Sequence, residues 1–242
     1  MKHSDKDSVQ VFNRDIEANK GYLYTTNASL SSDLANKRLT DAVLELVDFN
    51  NKKVLDIGCG DGTFTRDIYR FGRVSQIVGI DPALEAIETA KKNTKKNTDD
   101  NISFEVQNAC ELPFESKSFD IAHIRGVLHH MESPKEALKE ALRVAKLTVV
   151  VEPNGYNPVL KLLERFSKYH IEHDEKSYSP ALLDLWIRQL GADVRTRCYA
   201  GLVPFFCPDW MANTLKRMES VVENIPIVKS ICCGVYVFTA ED

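Results

Sequence analysis

A chain of 242 residues with 43% hydrophobic and 27% charged side chains can bury one full core and has the balance of an ordinary globular protein. Its net charge of −4 excludes the basic excess of a dedicated nucleic-acid binder, and no apolar run reaches the about 18 residues that a membrane span needs. The six cysteines (59, 110, 198, 207, 232 and 233) match no zinc spacing, and the polar opening Met1-Lys-His-Ser-Asp-Lys-Asp7 is no secretory leader. Reduced thiols, a cytoplasmic location and the absence of a metal site are therefore expected.

Residues 1–20 carry no periodicity and are expected to be frayed or loosely docked. Tyr22 and Tyr24 follow, suited either to a lid over a ligand or to packing on a sheet edge. From Leu30 to Val47 the spacing of Leu39, Val43, Leu46 and Val47 predicts a helix, so residues 1–50 read as an N-terminal helical cap and 51–242 as the main domain. Val54, Leu55 and Ile57 then form an apolar run suited to a buried parallel strand, followed at once by Gly58, Gly60 and Gly62. Phe64 and Ile68 stand at i, i+4 behind the glycines. Strand, glycine loop and helix form the first unit of a doubly wound sheet, with its ligand site at the strand's carboxyl end.

Gln76–Ile80 predicts the second strand, ending in Asp81-Pro82 about 20 residues beyond Gly60, the offset of a carboxylate that takes ribose hydroxyls. Asp81 also suits a helix N-cap before Pro82, and both roles can hold together. The helix is expected over Ala83–Lys96, with Leu84, Ile87 and Ala90 inward and its lysines near the end that favours positive charge. Further strands are expected at Ile102–Val106, Phe119–Ile124 and Leu147–Glu152, with a helix from Pro134 to Val144. Strands alternating with helices mean a parallel sheet. Beyond Glu152 the pattern changes: helices at Val159–Tyr169 and Pro180–Leu190, strands at Ala192–Tyr199 and Gly234–Thr239, and a helix with Met211, Leu215, Met218 and Val222 on one stripe.

A nicotinamide site wants Gly-x-Gly-x-x-Gly, with a small residue where this chain has Thr63; here the third glycine falls at 62. Asp-x-Gly-x-Gly-x-Gly at 56–62 suits instead a nucleoside that carries an amino acid and no pyrophosphate, such as S-adenosylmethionine. Backbone groups at Gly58–Gly60, with Asp56 nearby, can then receive the ammonium and methionine chain, and Asn108 the adenine edge. Together, Val-Leu-Asp-Ile-Gly-Cys-Gly-Asp-Gly (54–62), Gly-Ile-Asp-Pro (79–82), Glu-Leu-Pro-Phe (111–114), Phe-Asp-Ile-Ala (119–122) and Gly-Val-Leu-His-His-Met (126–131) resemble the class I S-adenosylmethionine-dependent methyltransferases, in their UbiE/type-11-like branch. The resemblance spans residues 50–152. It implies a Rossmann-like, doubly wound, mostly parallel sheet of seven strands with strand seven antiparallel, and a small-molecule acceptor bound by the helical insertions within 153–231.

Cofactor contacts are expected at Asp56, Gly58, Cys59 and Gly60, at Asp81 and Pro82, at Asn108 and Ala109, and at Arg125. The family's usual aspartate is replaced by Asn108, whose amide can accept from the adenine amino group and donate to a ring nitrogen. His129 and His130 follow the fourth strand and are candidate general bases, though a structural role is the more expected of the two; Glu152 is a further pocket candidate and His123 a core residue. Phe205, Phe206 and Trp210 precede the Met-rich stripe and suggest an apolar acceptor, the alternative being that the stripe merely covers the sheet's edge. Peripheral membrane contact is the sharper version, but Lys216, Arg217, Glu219 and Glu223 give mixed charge rather than a basic face. Two rivals remain: a nicotinamide oxidoreductase, and a non-catalytic S-adenosylmethionine-binding subunit that activates a partner.

Overall fold

The computed structural model describes residues 23–26, 29–95, 101–167 and 176–242. Tyr22 and the Tyr24 side chain, like residues 1–20, lie outside what is described. Seven strands form one sheet in the order β3-β2-β1-β4-β5-β7-β6. They are β1 (Lys53–Ile57), β2 (Gln76–Asp81), β3 (Ile102–Val106), β4 (Phe119–Arg125), β5 (Ala145–Pro153), β6 (Asp193–Ala200) and β7 (Val235–Glu241). The first five run parallel, and β7 is antiparallel to both β5 and β6, as the sequence led one to expect. The order reverses between β1 and β4, which opens a crevice at their carboxyl ends.

Both faces of the sheet are covered, which is why β1 and β2 read as nearly unbroken apolar runs. After a short α1 (Leu23–Thr26), one face carries α2 (Leu30–Leu46), α3 (Thr63–Gly72) and α4 (Leu84–Lys95), which bury Leu39, Val43, Ile68, Ile87 and Ala90. The other carries α5 (Pro134–Val144) and, past α6 (Pro158–Phe166), α7 (Pro180–Gln189), burying Leu138, Ala141, Leu183 and Ile187. The helix after β2 starts a residue later than expected, and Leu84 is 53% exposed rather than inward, because Ala86, Ile87 and Ala90 supply the buried face.

Two glycines are required by one aromatic ring. A Cβ on Gly79 would lie 2.7 Å from Phe104 Cδ1, and one on Gly62 2.7 Å from Phe104 Cζ. The ring from β3 thus fills the space beside β2 and the glycine loop. The segment between β5 and β6 is drawn together at its root. Gly155 donates its amide to the Tyr178 carbonyl at 3.0 Å, and a Cβ there would meet that backbone carbon at 2.5 Å.

The insertion after β6 departs from expectation. Its helix α8 (Asp209–Asn224) buries Ala212 and Glu219; of the expected stripe, Met211, Leu215 and Val222 are half-buried and Met218 is exposed. Carboxylates set the docked face: Glu219 accepts the Leu202 amide at 3.3 Å, and Glu223 that of Gly201 at 2.9 Å. Phe205 packs half-buried against the core, whereas Phe206 and Trp210 stand out into solvent. A short α9 (Pro226–Cys232), not foreseen from sequence, leads into β7.

Gly79→Ala should cost about 1–3 kcal/mol of stability in a urea titration, the range for overpacking. Adding Phe104→Leu should recover part of it; an undiminished loss in the double variant would show that Phe104 is not the obstacle.

Candidate functional site

At the carboxyl end of β1 the chain turns through Gly58, Gly60 and Gly62 with φ of 73°, 54° and 75°, conformations that side chains rarely adopt. A Cβ on Gly58 would sit 2.2 Å from Val127, so the loop is threaded tightly against the turn after β4. Four of its amides are already committed. Gly58 and Cys59 both donate to the Ile80 carbonyl (2.8 and 2.9 Å), Gly60 to Asp81 Oδ2 (3.1 Å) and Gly62 to the Cys59 carbonyl (3.0 Å). With these donors spent, the loop is poorly provided for a phosphate.

A second feature points the same way. A pyrophosphate would need the amino end of α3, but Asp61 occupies it: Oδ1 accepts the Thr63 amide at 3.0 Å and Oδ2 the Thr25 hydroxyl of α1. The nicotinamide reading loses its anion site to a carboxylate. Cys59 points its side chain into the core beside Gly79 and Phe104, so only its backbone faces the crevice.

Asp81 ends β2 with each oxygen held once, Oδ2 by Gly60 and Oδ1 by the Ala83 amide at 2.9 Å. Each retains a lone pair for a ribose hydroxyl. Burial, together with repulsion from Asp56 and Asp61, pushes this carboxyl up to about 6 against those two hydrogen bonds. Pro82 beside it is exposed. The next loop is tied in by Gln107, whose amide donates to the Asp81 carbonyl at 3.2 Å. Asn108 is exposed, but its side-chain oxygen accepts the Cys110 amide at 2.9 Å, which leaves its NH₂ group to reach a ring nitrogen. Ala109 is buried in the core, so its contribution to the crevice is backbone.

Two residues expected at the cofactor are bonded within the protein. Asp56 does not face the crevice: Oδ2 accepts the Thr65 hydroxyl of α3 at 2.5 Å, and Oδ1 pairs with His123 Nδ1 at 2.7 Å across the β1–β4 register. It braces the loop from within, and His123 is the core residue that the sequence indicated. Arg125 is a strut. Its guanidinium bonds the Thr40 hydroxyl (2.9 Å) and the carbonyl and side chain of Asn36 (3.3 and 3.1 Å) on α2, and lies 3.6 Å over the Phe64 ring. Burial pushes it down to about 10, with Asp67 and Asp56 opposing.

Across the crevice, the turn after β4 is organised by Glu152. This fully buried carboxylate accepts the amides of Val127 and Leu128 (both 2.9 Å) through Oε1 and pairs with His129 Nδ1 at 2.8 Å through Oε2. His129 is thereby held as the Nδ1–H tautomer, with Nε2 as its basic atom. The His130 ring lies 3.9 Å from it. Sequence reasoning named Glu152 and His129 separately; nothing local joins residues on different strands.

A mostly parallel seven-stranded sheet with an antiparallel seventh strand, a phosphate-averse glycine loop and a ribose-type acid define a class I S-adenosylmethionine-dependent methyltransferase domain. A family profile described as a methyltransferase domain matches residues 48–194, and the chain belongs to that family. It is 29% identical over 160 residues to the ubiquinone biosynthesis O-methyltransferase of Neisseria meningitidis serogroup C, covering 61% of this chain and 66% of that one. With the demethylmenaquinone methyltransferase of Lactococcus lactis subsp. lactis the identity is 35% over 100 residues, 41% of this chain and 40% of the other. The first curated relatives are matched over 24–66% of their own length. The [4+2]-cyclase SpnF shares the fold, with a TM-score of 0.71 at 20% identity over 98% of this chain and 95% of its own.

Asp81 sets a pH dependence. Its folded pKa is raised, so the carboxylate is fully ionised only above about pH 7 and is protonated as the pH falls through about 6. A protonated carboxyl loses acceptor capacity for hydroxyls. Affinity for S-adenosylhomocysteine should therefore be flat above pH 7 and fall below 6, and calorimetry with Asp81→Asn should show a weak, pH-independent baseline. An unchanged profile in that variant would remove Asp81 from the site.

Proposed function

We propose that the chain transfers the methyl group of S-adenosylmethionine to a small-molecule acceptor. The observation that carries this reading is the charge logic of the glycine loop, with its amides spent internally and a carboxylate on the adjoining helix end. Such a site selects a cationic nucleoside without phosphate. The bound cofactor supplies an already activated sulfonium methyl, so the protein's tasks are binding, alignment and exclusion of water. Asp81 takes the ribose hydroxyls, the carbonyls of Gly58–Gly60 the ammonium, and the Asn108 amide with the Ala109 backbone the adenine edge. Pro82 flanks the ribose, while Asp56, Cys59 and Arg125 shape the cradle from behind.

His129 serves as general base where the acceptor must lose a proton, because Glu152 stabilises the imidazolium that results. His130 lies beside it as a positioning neighbour. Residues 51–242 are the methyltransferase domain, 153–231 its acceptor side, and 1–50 a cap. The names of the relatives, which concern ubiquinone and demethylmenaquinone, together with exposed Phe206 and Trp210, support an apolar aromatic acceptor of quinone-precursor type. Six free cysteines support a cytoplasmic setting, and no helix among the described residues is long and apolar enough to cross a membrane.

Incubation with methyl-labelled S-adenosylmethionine and hydroxylated quinone precursors tests the reaction: label should appear on the acceptor with equimolar S-adenosylhomocysteine. Binding of the cofactor without transfer to any acceptor would favour the non-catalytic subunit. With an acceptor in hand, His129→Asn should cut turnover by about 10²–10⁴ while cofactor affinity holds, and His130→Asn far less. Equal turnover in wild type and His129→Asn would leave proximity as the whole of the catalysis.

A further inference from the structure

One charged cluster lies outside the crevice and is buried without serving the chemistry. Arg38, in the middle of α2, grips Glu223 of α8 through Nε (3.1 Å to each oxygen) and Nη2 (2.8 Å), with side-chain exposures of only 13% and 12%. Glu45, about two turns along α2, takes the remaining donors at 3.2 Å. Glu223 is itself fastened to the Gly201 amide, where the chain leaves β6 with φ of 80°. Ser31, near the start of α2, donates to the Phe205 carbonyl at 2.8 Å and holds the same segment a second time.

The opposite side of α2 belongs to the cofactor crevice. Asn36 and Thr40 stand at i, i+4 and roughly half a helical turn round from Arg38; they carry the Arg125 guanidinium, which lies on Phe64 at the start of α3, two residues past the last loop glycine. The route Gly62–Phe64–Arg125–Asn36/Thr40–Arg38–Glu223–Gly201 is continuous, and every link is a hydrogen bond, a ring contact or a stretch of one helix. An ion pair buried to this degree is costly to form and costly to break on one side, and so fixes the orientation of what it joins.

We infer that Arg38 is a positioning residue which makes the acceptor-side helix α8 respond to the cofactor: when the glycine loop is filled and stiffened, α2 is held, and Arg38 holds Glu223 and the 201–224 segment with it. The inference rests on the reading above that S-adenosylmethionine binds at the loop and that residues 201–224 border the acceptor. It adds a coupling between the two ligands, which by reciprocity would have the acceptor also tighten the cofactor. Rigidification of this kind needs no displacement, only a loss of local opening.

Hydrogen exchange on the full chain, with and without S-adenosylhomocysteine, tests it without any acceptor. In wild type the ligand should slow exchange both in a peptide over 56–65 and in one over 201–224. Arg38→Ala should keep the first effect and the affinity measured by calorimetry, and lose the second. Glu223→Gln, which can still accept the Gly201 amide and so is the milder change, should give the same loss. The double variant should lose no more than either single one. Retention of the second effect in Arg38→Ala or in Glu223→Gln would overturn the inference, as would its absence in wild type while 56–65 is protected. No protection at 56–65 in wild type would overturn the cofactor reading itself.

Discussion

Two backbone amides, those of Gly58 and Cys59, converge on the carbonyl of Ile80, and a third reaches the Asp81 carboxylate at the end of the same strand. This convergence locks the end of β1 to the end of β2, and three left-handed glycines are its conformational requirement. It also fixes the sign of what can bind. A similar loop in a dinucleotide site would turn free amides and a helix end to a phosphate. Here the donors are consumed, Asp61 stands at the helix end, and the ligand side is left rich in acceptors. The fold is shared by many chemistries, so this local bookkeeping, and not the sheet, is what separates them.

The interior of the sheet is correspondingly polar in one narrow row. Gly79, Asp56, His123 and Val149 lie side by side across four strands, and the Asp56 carboxylate reaches from this row to Thr65 on α3. A buried carboxylate with two directed partners orients α3 more strictly than apolar packing would. The crevice is thus surrounded by fixed polar struts: Asp56 beneath the loop, Arg125 at its flank and Glu152 under the turn after β4.

The strand–glycine–helix unit and Asp81 were legible because their signals are local: an apolar run, a glycine pattern and a fixed offset. The bracing role of Asp56 was not legible, because its partners, Thr65 and His123, are reached only through the fold, and a carboxylate beside glycines looks the same whichever way it turns. The strut made by Arg125 was hidden for that reason too, its acceptors lying on α2. The apolar spacing of Met211, Leu215, Met218 and Val222 pointed to one face of α8, of which only Met218 is exposed, but it gave no hint that Glu219 and Glu223 fasten the same helix to the amides at 202 and 201. Asn108 was half legible. Its donor is available, but the turn it closes on Cys110 claims the acceptor.

The clasp between Gly155 and Tyr178 gives the excursion from β5 toward α7 a common root, where entering and leaving chain lie in backbone contact. A loop whose ends are already joined adds little further closure entropy as it lengthens. The chain that follows Asn157 can therefore be exchanged, by evolution or an engineer, for one of different size and chemistry. A glycine at 155 is one condition for the exchange, and an asparagine at 157, whose amide donates to the Cys232 and Cys233 carbonyls ahead of β7, is another.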